Sequence, residues 1–415
     1  MSLSAPVLLA ALAAAPCEAT RLETHGFSRT DLAVLDEVLP RKLPACLDEA
    51  ELAEFERRLW TLGLFDAVKV SCGEGALSVT VREKWTLIPS IDFSTSQELK
   101  DRYLFLALVE SNVAGRAVEC GFYGAYYERA LNGEVWCSQH QYMSRGLAFE
   151  MNAHHVGSGF VFDDETFTWE RRRSGVRMGV RLPFPYETAW RFSMHPHTYK
   201  ERVSGEPPPE MNESGWYGGA GLRVVRDAYE WHDLAPKGLR LGLEVTPGFF
   251  FGSTDRRGRH SVTAQILAAF RFGERTGLVS NVVGEAVDPG DPNHSFLLGS
   301  ISSWRGSFGT IGGLRGLPDN RNRNAWHLFS NIELRHSFSI TSRLYLQTAL
   351  FTDGGVYRRM NSVGQVLDVE PGLSSGAGLR LLPTFLAGVI LRVDGGRLLI
   401  PEPAWFVQLA LSQYL

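Results

Sequence analysis

The sequence lacks the run of about 20 apolar residues that a membrane-spanning helix requires. A membrane protein with this sequence must therefore cross the bilayer as a β-barrel. It also lacks an excess of one charge, because its 415 residues carry a net charge of −4 at pH 7. That balance argues against a nucleic-acid partner. Hydrophobic residues make up 44% of the chain and charged residues 21%, a composition that argues against disorder.

The N-terminal stretch MSLSAPVLLAALAAAPCEAT has a short apolar segment, Val7 to Ala15, but no positive charge before it. Small residues at the following positions are typical of an export signal cleaved after Ala19, so residues 1–19 are predicted to be a signal peptide. A lipoprotein signal ending at Cys17 fits less well, because Pro16 stands where a small residue is wanted. A disordered tail is the remaining interpretation.

Cysteine is scarce, and its five positions match no zinc signature. Cleavage after Ala19 would leave four cysteines. An oxidising periplasm could pair these four, although buried free thiols are equally compatible with the sequence. We expect no metal and no cofactor. The five are Cys17, Cys46, Cys72, Cys120 and Cys137.

Residues 20–84 differ from the rest of the chain because they contain two helical patterns. The segment SRTDLAVLDEVL has apolar residues at helical spacing, with Ser28 as the expected N-cap. DEAELAEFERRLWTLG repeats the pattern, with Asp48 as cap and Gly63 as the end. Two alternating strands follow, LFDAVKVSC and ALSVTVREKW. With a short strand at TRLETHGF, the predicted order is β-α-α-β-β, a small α+β domain.

Residues 85–415 show period-two alternation in place of helical patterns. In GLRLGLEVTPGFFF, for example, apolar residues occupy one face and mostly polar residues the other. We count about sixteen strands of roughly ten residues, including strands near 173–184 and 325–338. Short connections such as PYE alternate with long ones such as RVSGEPPPEMNES. A soluble sandwich has no reason for this asymmetry, so the predicted fold is a mainly β protein with a sixteen-stranded antiparallel transmembrane barrel.

These features resemble the outer-membrane assembly and secretion superfamily that includes BamA and TamA. The segment TLGLFDAVKVSCGEGALSVTVREKW is similar to part of a POTRA domain, with the Gly-Leu-Phe turn after the second helix and Glu83 at the end of the last strand. The resemblance implies a POTRA domain at 20–84, in the periplasm, and an outer-membrane barrel at 85–415.

The most specific likeness is GGLRGLPDNRN, which is similar to the superfamily's loop-six signature of a branched apolar residue, Arg-Gly and an aromatic. In that superfamily the sixth loop folds into the lumen, where irregular backbone is tolerated. The signature falls on Leu314, Arg315, Gly316 and Leu317, with leucine in place of the aromatic.

Two following strands offer partners for the arginine. Alternation places Glu333 in WHLFSNIELRHSF and Asp353 in LYLQTALFTDGGVY on the lumenal face. The second segment resembles a Phe-x-Asp-x-Gly strand motif, carried by Phe351, Asp353 and Gly355. We expect Arg315 to form charge-assisted hydrogen bonds with both carboxylates, because an unpaired desolvated cation is strongly disfavoured. The alternative is an arginine in a solvated surface loop.

The first and last barrel strands are expected to meet at a weak lateral seam. Pro89 in the first strand cannot donate a hydrogen bond to a sheet, although an ordinary bulge explains it equally well. The last strand, WFVQLALSQYL, begins with lipid-facing Trp405 and ends in Leu415, where an aromatic is usual.

No arrangement of a base and a nucleophile supports catalysis, so we expect no enzyme activity. The pairs His154/His155 and His195/His197 are expected to be rim and lumen residues. The run Arg171–Arg173 lies at the base of a predicted outer loop, where it meets either anionic lipid headgroups or solvent.

The favoured function is an assembly or translocation factor for unfolded outer-membrane or secreted client proteins. Its expected partners also include outer-membrane lipid and periplasmic accessory proteins. A client would add to the POTRA sheet at Val68, Lys69 and Val70 by β-augmentation. The alternatives are a dedicated secretion pore for one exoprotein and a passive structural barrel. Such pores generally carry two POTRA domains and a plug helix, for which this chain is expected to lack room.

Overall fold

The computed structural model describes residues 16–94, 103–127, 130–139, 148–161, 168–182, 189–207, 214–230, 234–252, 256–288, 296–297, 313–317, 323–360 and 365–411. Within these ranges the chain forms a small α+β domain followed by a closed antiparallel barrel. The part of the protein described contains no helix long and apolar enough to cross a membrane.

The N-terminal α+β domain has a three-stranded sheet in the order β2-β5-β4, with two helices packed on it. The strands β2 and β5 are parallel, whereas β4 and β5 are antiparallel, so β4 is one edge of the sheet. Its elements are β1 (Cys17–Ala19), β2 (Arg21–His25), α1 (Ala33–Val38), β3 (Ala45–Leu47), α2 (Glu49–Thr61), β4 (Phe65–Gly73) and β5 (Ala76–Glu83).

Most of the barrel strands pair with their neighbours in sequence, and the last, β24, returns to the first, β6. The segments are β6 (Leu87–Ser94), β7 (Tyr103–Glu110), β8 (Val118–Tyr127), β9 (Ala130–Gln139), β10 (Ala148–Val161), β11 (Thr168–Leu182), β12 (Trp190–Gly205), β13 (Gly215–Glu230), β14 (Lys237–Thr246), β15 (Gly248–Gly252), β16 (Arg256–Gly258), β17 (Ser261–Arg271), β18 (Thr276–Val287), β19 (Phe296–Leu297), β20 (Arg323–Thr341), β21 (Leu344–Met360), β22 (Val366–Pro383), β23 (Leu391–Ile400) and β24 (Ala404–Leu411).

Some of these segments are parts of one strand. β14 and β15 pair with β13 in a single register and are separated by Pro247. β16 and β17 likewise continue one strand, and β19 is a two-residue pairing within the long connection before β20. Among the described residues the barrel therefore has sixteen strands, which confirms the predicted fold.

Several strands are longer than the ten residues expected from the sequence. β12 has 16 residues, β22 has 18 and β20 has 19. Parts of the predicted outer loops are paired sheet, since Gly157–Val161 of β10 continues to pair with Thr168–Arg172 of β11. Because alternation of apolar and polar residues fades where both faces meet water, the sequence pattern underestimates such extensions.

The two helices of the α+β domain begin at different kinds of cap. Asp48 caps α2 through a capping box with Glu51, as its sequence predicts. The predicted cap at Ser28 is wrong, since α1 begins only at Ala33 and Asp31 accepts the hydrogen bond from the Ala33 amide. Ser28 instead donates its hydroxyl to Glu83 at 2.6 Å, because that carboxylate stands opposite the loop.

Two disulfides join cysteine pairs in the structure. Cys17 on β1 bonds to Cys72 on β4, and Cys120 bonds to its cross-strand partner Cys137 in the barrel wall. Ala19, at the end of β1, is fully buried in the core of the α+β domain. Cleavage after Ala19 would therefore remove a paired strand and one half of a disulfide.

The α+β domain is docked on the barrel rim through backbone and side-chain contacts. Trp85 donates its amide to the Phe385 carbonyl and accepts from the Ala387 amide, each at 2.8 Å, at the turn between β22 and β23. At the turn between β7 and β8, the Asp31 amide donates to the Gly115 carbonyl at 2.9 Å. These contacts fix which end of the barrel faces the domain.

Candidate functional site in the barrel lumen

A four-residue turn, Leu314–Leu317, lies inside the barrel between the long connection's described ends. The Leu317 amide donates to the Leu314 carbonyl at 3.1 Å, and Gly316 has a φ of +85° at the third position. A type II turn requires this positive φ, which favours glycine. Gly316 also allows close approach, because a Cβ there would lie 2.4 Å from the ring of Phe406. The turn thus places Arg315 at its apex.

Arg315 is 3% exposed and binds two carboxylates through most of its donors. Its Nε and Nη2 donate to the two oxygens of Asp353, both at 2.6 Å, in a bidentate pair. Its Nη1 donates to Glu333 Oε1 at 2.7 Å, and its backbone amide donates to Asp353 at 3.2 Å. The structure therefore brings together the three residues that the sequence analysis pairs.

Further charged residues extend this arrangement beyond those three. Asp394 on β23 accepts from Arg315 Nη1 at 3.3 Å, and Arg380 on β22 donates to both oxygens of Glu333 at 3.0 Å. Arg335 donates to Glu333 at 2.7 Å, while Arg392 lies 3.5 Å from Asp394. We call Arg315, Glu333, Arg335, Asp353, Arg380, Arg392 and Asp394 the lumenal charge network.

The network contains four guanidinium groups and three carboxylates, so its formal charge is +1. Because buried charges are tolerated only when paired, removing any one carboxylate would leave a larger uncompensated charge in the lumen. The network joins β20, β21, β22 and β23 to the loop turn.

Apolar contacts hold the turn from its other sides. The guanidinium of Arg315 stacks over the Phe351 ring, with its carbon 3.5 Å from the ring centroid. Leu314 and Leu317 are buried with Phe329 and Tyr357 in one cluster. Leu317, which replaces the expected aromatic, therefore still fills an apolar site.

Gly355, the last residue of the strand motif, acts on strand packing and not on the loop. A Cβ at this position would lie 2.5 Å from the Leu328 carbonyl oxygen of β20. Glycine therefore permits β21 and β20 to approach next to the network.

The seam between β24 and β6 is short in the described residues. It consists of the pairs Leu409↔Phe93 and Ala410↔Asp92, whereas β23 and β24 are paired from Leu391↔Leu411 to Leu398↔Ala404. Trp405 is exposed on the outer face, with Arg397 over its ring at 5.7 Å.

The other two predicted seam residues lie outside this pairing. Pro89 is exposed and opposes Leu108 of β7 within β6. Leu415 lies outside the described residues.

The predicted client-binding strand, β4, forms an edge of the α+β domain's sheet, and only part of that edge is exposed. Lys69 on β4 is exposed, whereas Val68 and Val70 pack against the domain core. The Val70 amide donates to Glu56 at 3.4 Å, and Cys72 is tied to β1. The exposed part of this edge therefore lies nearer the barrel, before Val70.

Histidines and arginines elsewhere in the lumen form a second buried cluster. Arg259 and Glu201, both fully buried, pair at 3.0 Å, and Arg173 donates to Glu201 at 2.6 Å. The sequence run Arg171–Arg173 is therefore divided, since Arg173 faces the lumen and Arg172 is exposed. His195 is fully buried in the same wall, where Ser193 lies 2.8 Å from its Nε2.

Sequence reasoning missed Asp394, Arg380 and Arg392, although alternation carries a signal for all three. In LLPTFLAGVILRVDGG, the exposed Leu391 and Val393 bracket Arg392. The same period of two places Asp394 inward, and Arg380 inward beside exposed Leu379. Which of these side chains reach Arg315 depends on strand order and register.

Three solved structures are similar to the chain over nearly its whole length. BamA from Haemophilus ducreyi lacking POTRA domains 1–3 has a TM-score of 0.53 and 10% identity, with 96% of this chain and 84% of that chain covered. CdiB from Acinetobacter baumannii has a TM-score of 0.59 and 15% identity over 96% and 74%. CdiB from Escherichia coli has a TM-score of 0.57 and 13% identity over 98% and 92%.

A scan against family models and a search of curated proteins find no match. The structural likeness shows that the fold is that of the bacterial outer-membrane barrels BamA and CdiB, preceded by a POTRA-like domain. It confirms the predicted resemblance at the level of the fold.

Proposed function

We propose that the protein is an outer-membrane assembly or translocation factor that acts on unfolded client proteins without catalysis or a cofactor. The observation that carries this proposal is a loop turn held inside the barrel by the lumenal charge network. A pore of fixed size does not need this turn.

The proposed division of labour follows the chain. Residues 20–84 belong to the POTRA domain in the periplasm, residues 85–415 form the barrel in the outer membrane, and a signal peptide ends before Cys17. The disulfide at Cys17 and the buried Ala19 count against cleavage after Ala19 and favour a cleavage site before Cys17.

The proposed client path begins at the exposed part of β4. This strand starts at the barrel rim, where Asp66 contacts Arg343 of the turn between β20 and β21. An extended client that adds to β4 is therefore delivered to the rim, from which its strands pair with β6 or β24 when the seam opens.

The network supports this path by holding one side of the seam. Because Arg315 is bonded to residues of β20, β21 and β23, these strands are joined to one another by side chains as well as by the sheet. The seam is then the place where pairing can be exchanged at least cost.

Depletion of the protein, followed by quantification of outer-membrane protein levels, tests the proposal. A broad loss of outer-membrane barrels is expected. Loss of a single exoprotein would indicate a dedicated secretion pore, and unchanged levels would indicate a passive structural barrel.

Site-specific crosslinking locates the client. A photoreactive residue in place of exposed Lys69 is expected to capture nascent barrel proteins, whereas one in place of Glu49, which is exposed on α2, serves as the control. Equal capture at both positions would contradict β-augmentation at β4.

A further inference from the structure

Two arginines face each other on the outer surface of the barrel, near the end opposite the POTRA-like domain. Arg172 on β11 and Arg202 on β12 are direct cross-strand partners, and both are exposed. The next outward pair toward the barrel centre is Ser174 and Lys200. Directly opposed residues share a face of the sheet, so three cationic side chains form one outward patch.

The outward direction of the patch follows from its neighbours. Glu201 lies between Lys200 and Arg202 in sequence, is fully buried and pairs with Arg259 in the lumen. Successive side chains of a strand point to opposite faces. Lys200 and Arg202 therefore point away from the lumen.

The patch lies just beyond the apolar surface of the same strands. Val176 and Met178 are exposed on the outer face of β11. Arg172 is four residues beyond Val176, which corresponds to about 13 Å along the strand. The patch is thus placed at the height where lipid headgroups meet the apolar band.

An aromatic side chain completes the patch. Trp216 on β13 is the cross-strand partner of Lys200, and the Lys200 Nζ lies 5.7 Å from its ring centroid. Tryptophan is enriched where a membrane meets water, because one end of the ring is apolar and its N–H is polar. Its presence beside the three cations favours a membrane-bound ligand over a soluble one.

The charge arrangement also indicates an anion. Arg172, Lys200 and Arg202 bring three positive charges together on one face of two neighbouring strands. Arginine matches phosphate through a planar fork of donors, and lysine adds a point charge.

We propose that Arg172, Lys200, Arg202 and Trp216 bind a phosphorylated lipid headgroup in the leaflet farther from the POTRA-like domain. This site is separate from the lumen and from the client edge β4. It requires only that the barrel spans the membrane, so it does not depend on the proposed assembly function.

The test uses the full chain in nonionic detergent micelles. Binding is measured to bisphosphorylated lipid A, to the same lipid without phosphates and to inorganic phosphate. The double variant Arg172→Gln/Arg202→Gln is expected to weaken binding of the phosphorylated lipid about tenfold or more. The control is Arg226→Gln, which removes an exposed outward arginine at the other end of β13 and is expected to change affinity less than about twofold.

Several results would overturn the proposal. Equal binding of the lipid with and without phosphates would show that only acyl chains are recognised. Competition by inorganic phosphate at the lipid's own concentration would show a site for the free ion. An equal loss of binding in Arg226→Gln would show a general charge effect.

A second variant keeps the test decisive if the double glutamine variant does not form a barrel. Arg172→Lys/Arg202→Lys retains the charge but lacks the fork, so it is expected to bind the phosphorylated lipid several-fold more weakly than the unchanged protein. Unchanged affinity in this folded variant would exclude recognition by the arginine forks.

Discussion

The carboxylate of Asp66, at the start of the POTRA-like edge strand, bonds to the guanidinium of Arg343 in a barrel turn, at 2.6 and 2.7 Å. The Asp66 side chain is fully buried and also contacts Arg82 of its own domain. One carboxylate thus joins an arginine of the domain to an arginine of the barrel.

Asp66→Asn is expected to loosen the docking of the domain, at a cost of about 1–3 kcal/mol, because two arginines lose a shared charged partner. The distribution of distances between a spin label on the domain and one on the barrel rim should become broader. Arg41→Gln, which breaks the exposed pair with Glu51, is the control. An unchanged distribution in Asp66→Asn would show that backbone contacts at Trp85 suffice.

Removal of the Arg315 charge is expected to release the loop turn. Arg315→Gln leaves Asp353 buried without its bidentate partner and removes one of the three arginines bonded to Glu333, at a cost of about 3–5 kcal/mol. Arg315→Lys keeps the charge but loses the bidentate pair, so an intermediate effect is expected.

Protease cleavage within the connection 288–322, together with urea midpoints in detergent, measures this release. In a double-mutant cycle with Asp353→Asn, the two substitutions should show a coupling of about 1–3 kcal/mol. Additive effects would contradict a direct pairing.

Gly316→Ala is expected to strain the turn for two separable reasons, the positive φ and the Phe406 ring beside it. Adding Phe406→Leu should relieve the ring contact and leave the backbone cost of about 1 kcal/mol. Thermal midpoints of the single and double variants check this partial rescue. Absence of rescue would mean that the backbone conformation alone accounts for the destabilisation by Gly316→Ala.

Covalent closure of the seam is expected to abolish client assembly. Phe93→Cys with Leu409→Cys places a disulfide across a direct cross-strand pair, in a Cys46→Ser background that removes the free exposed thiol. The matched control is Leu104→Cys with Tyr126→Cys, a cross-strand pair between β7 and β8. Assembly that survives closure of the seam would contradict insertion of client strands between β24 and β6. Assembly that is lost equally in the control would show a general effect of the disulfide.

The stability of the POTRA-like domain should depend on pH through Glu83. Burial by itself raises the pKa of Glu83, but hydrogen bonds from Ser28, Thr30 and Arg29 outweigh it and hold the pKa below its usual value. A lowered folded-state pKa gives stability that is present above about pH 4.5 and is lost as the pH falls through the folded-state value.

Glu83→Gln should therefore lower the free energy of unfolding of the domain by about 1–2 kcal/mol near neutral pH. At pH 3 its free energy of unfolding should be closer to that of the unchanged protein. Native-state hydrogen exchange of the Arg29 and Thr30 amides, corrected for intrinsic exchange rates, measures this difference in stability at each pH. A difference that stays constant with pH would exclude the carboxylate charge as its cause.

Much of the fold is predictable from the sequence because each strand of a barrel repeats one alternation. The outward direction of Leu334 and the inward direction of Glu333 follow from period two alone. Strand ends are less predictable, since β10 and β11 continue to pair from Gly157↔Arg172 to Val161↔Thr168, beyond the segments that the alternation marks as strands.

The site residues that lie in a local sequence motif were predictable. Those that reach the site only through strand order and register were not. Arg315, Glu333 and Asp353 lie in recognisable segments, but Asp394 reaches Arg315 only because β23 lies two strands from β21 around the barrel. The same limit applies to Ser28, whose partner Glu83 is 55 residues away.

The proposed insertion of client strands at the seam has a consequence for the size of the pore. Each client strand that inserts between β24 and β6 would lengthen the circumference of the wall by about 4.8 Å. Strands β20 to β23 are cross-braced by the lumenal charge network, so the displacement falls on the β6 flank. Strands β20 to β23 would then keep their spacing, and the wall on the β6 side would move outward as the barrel widens.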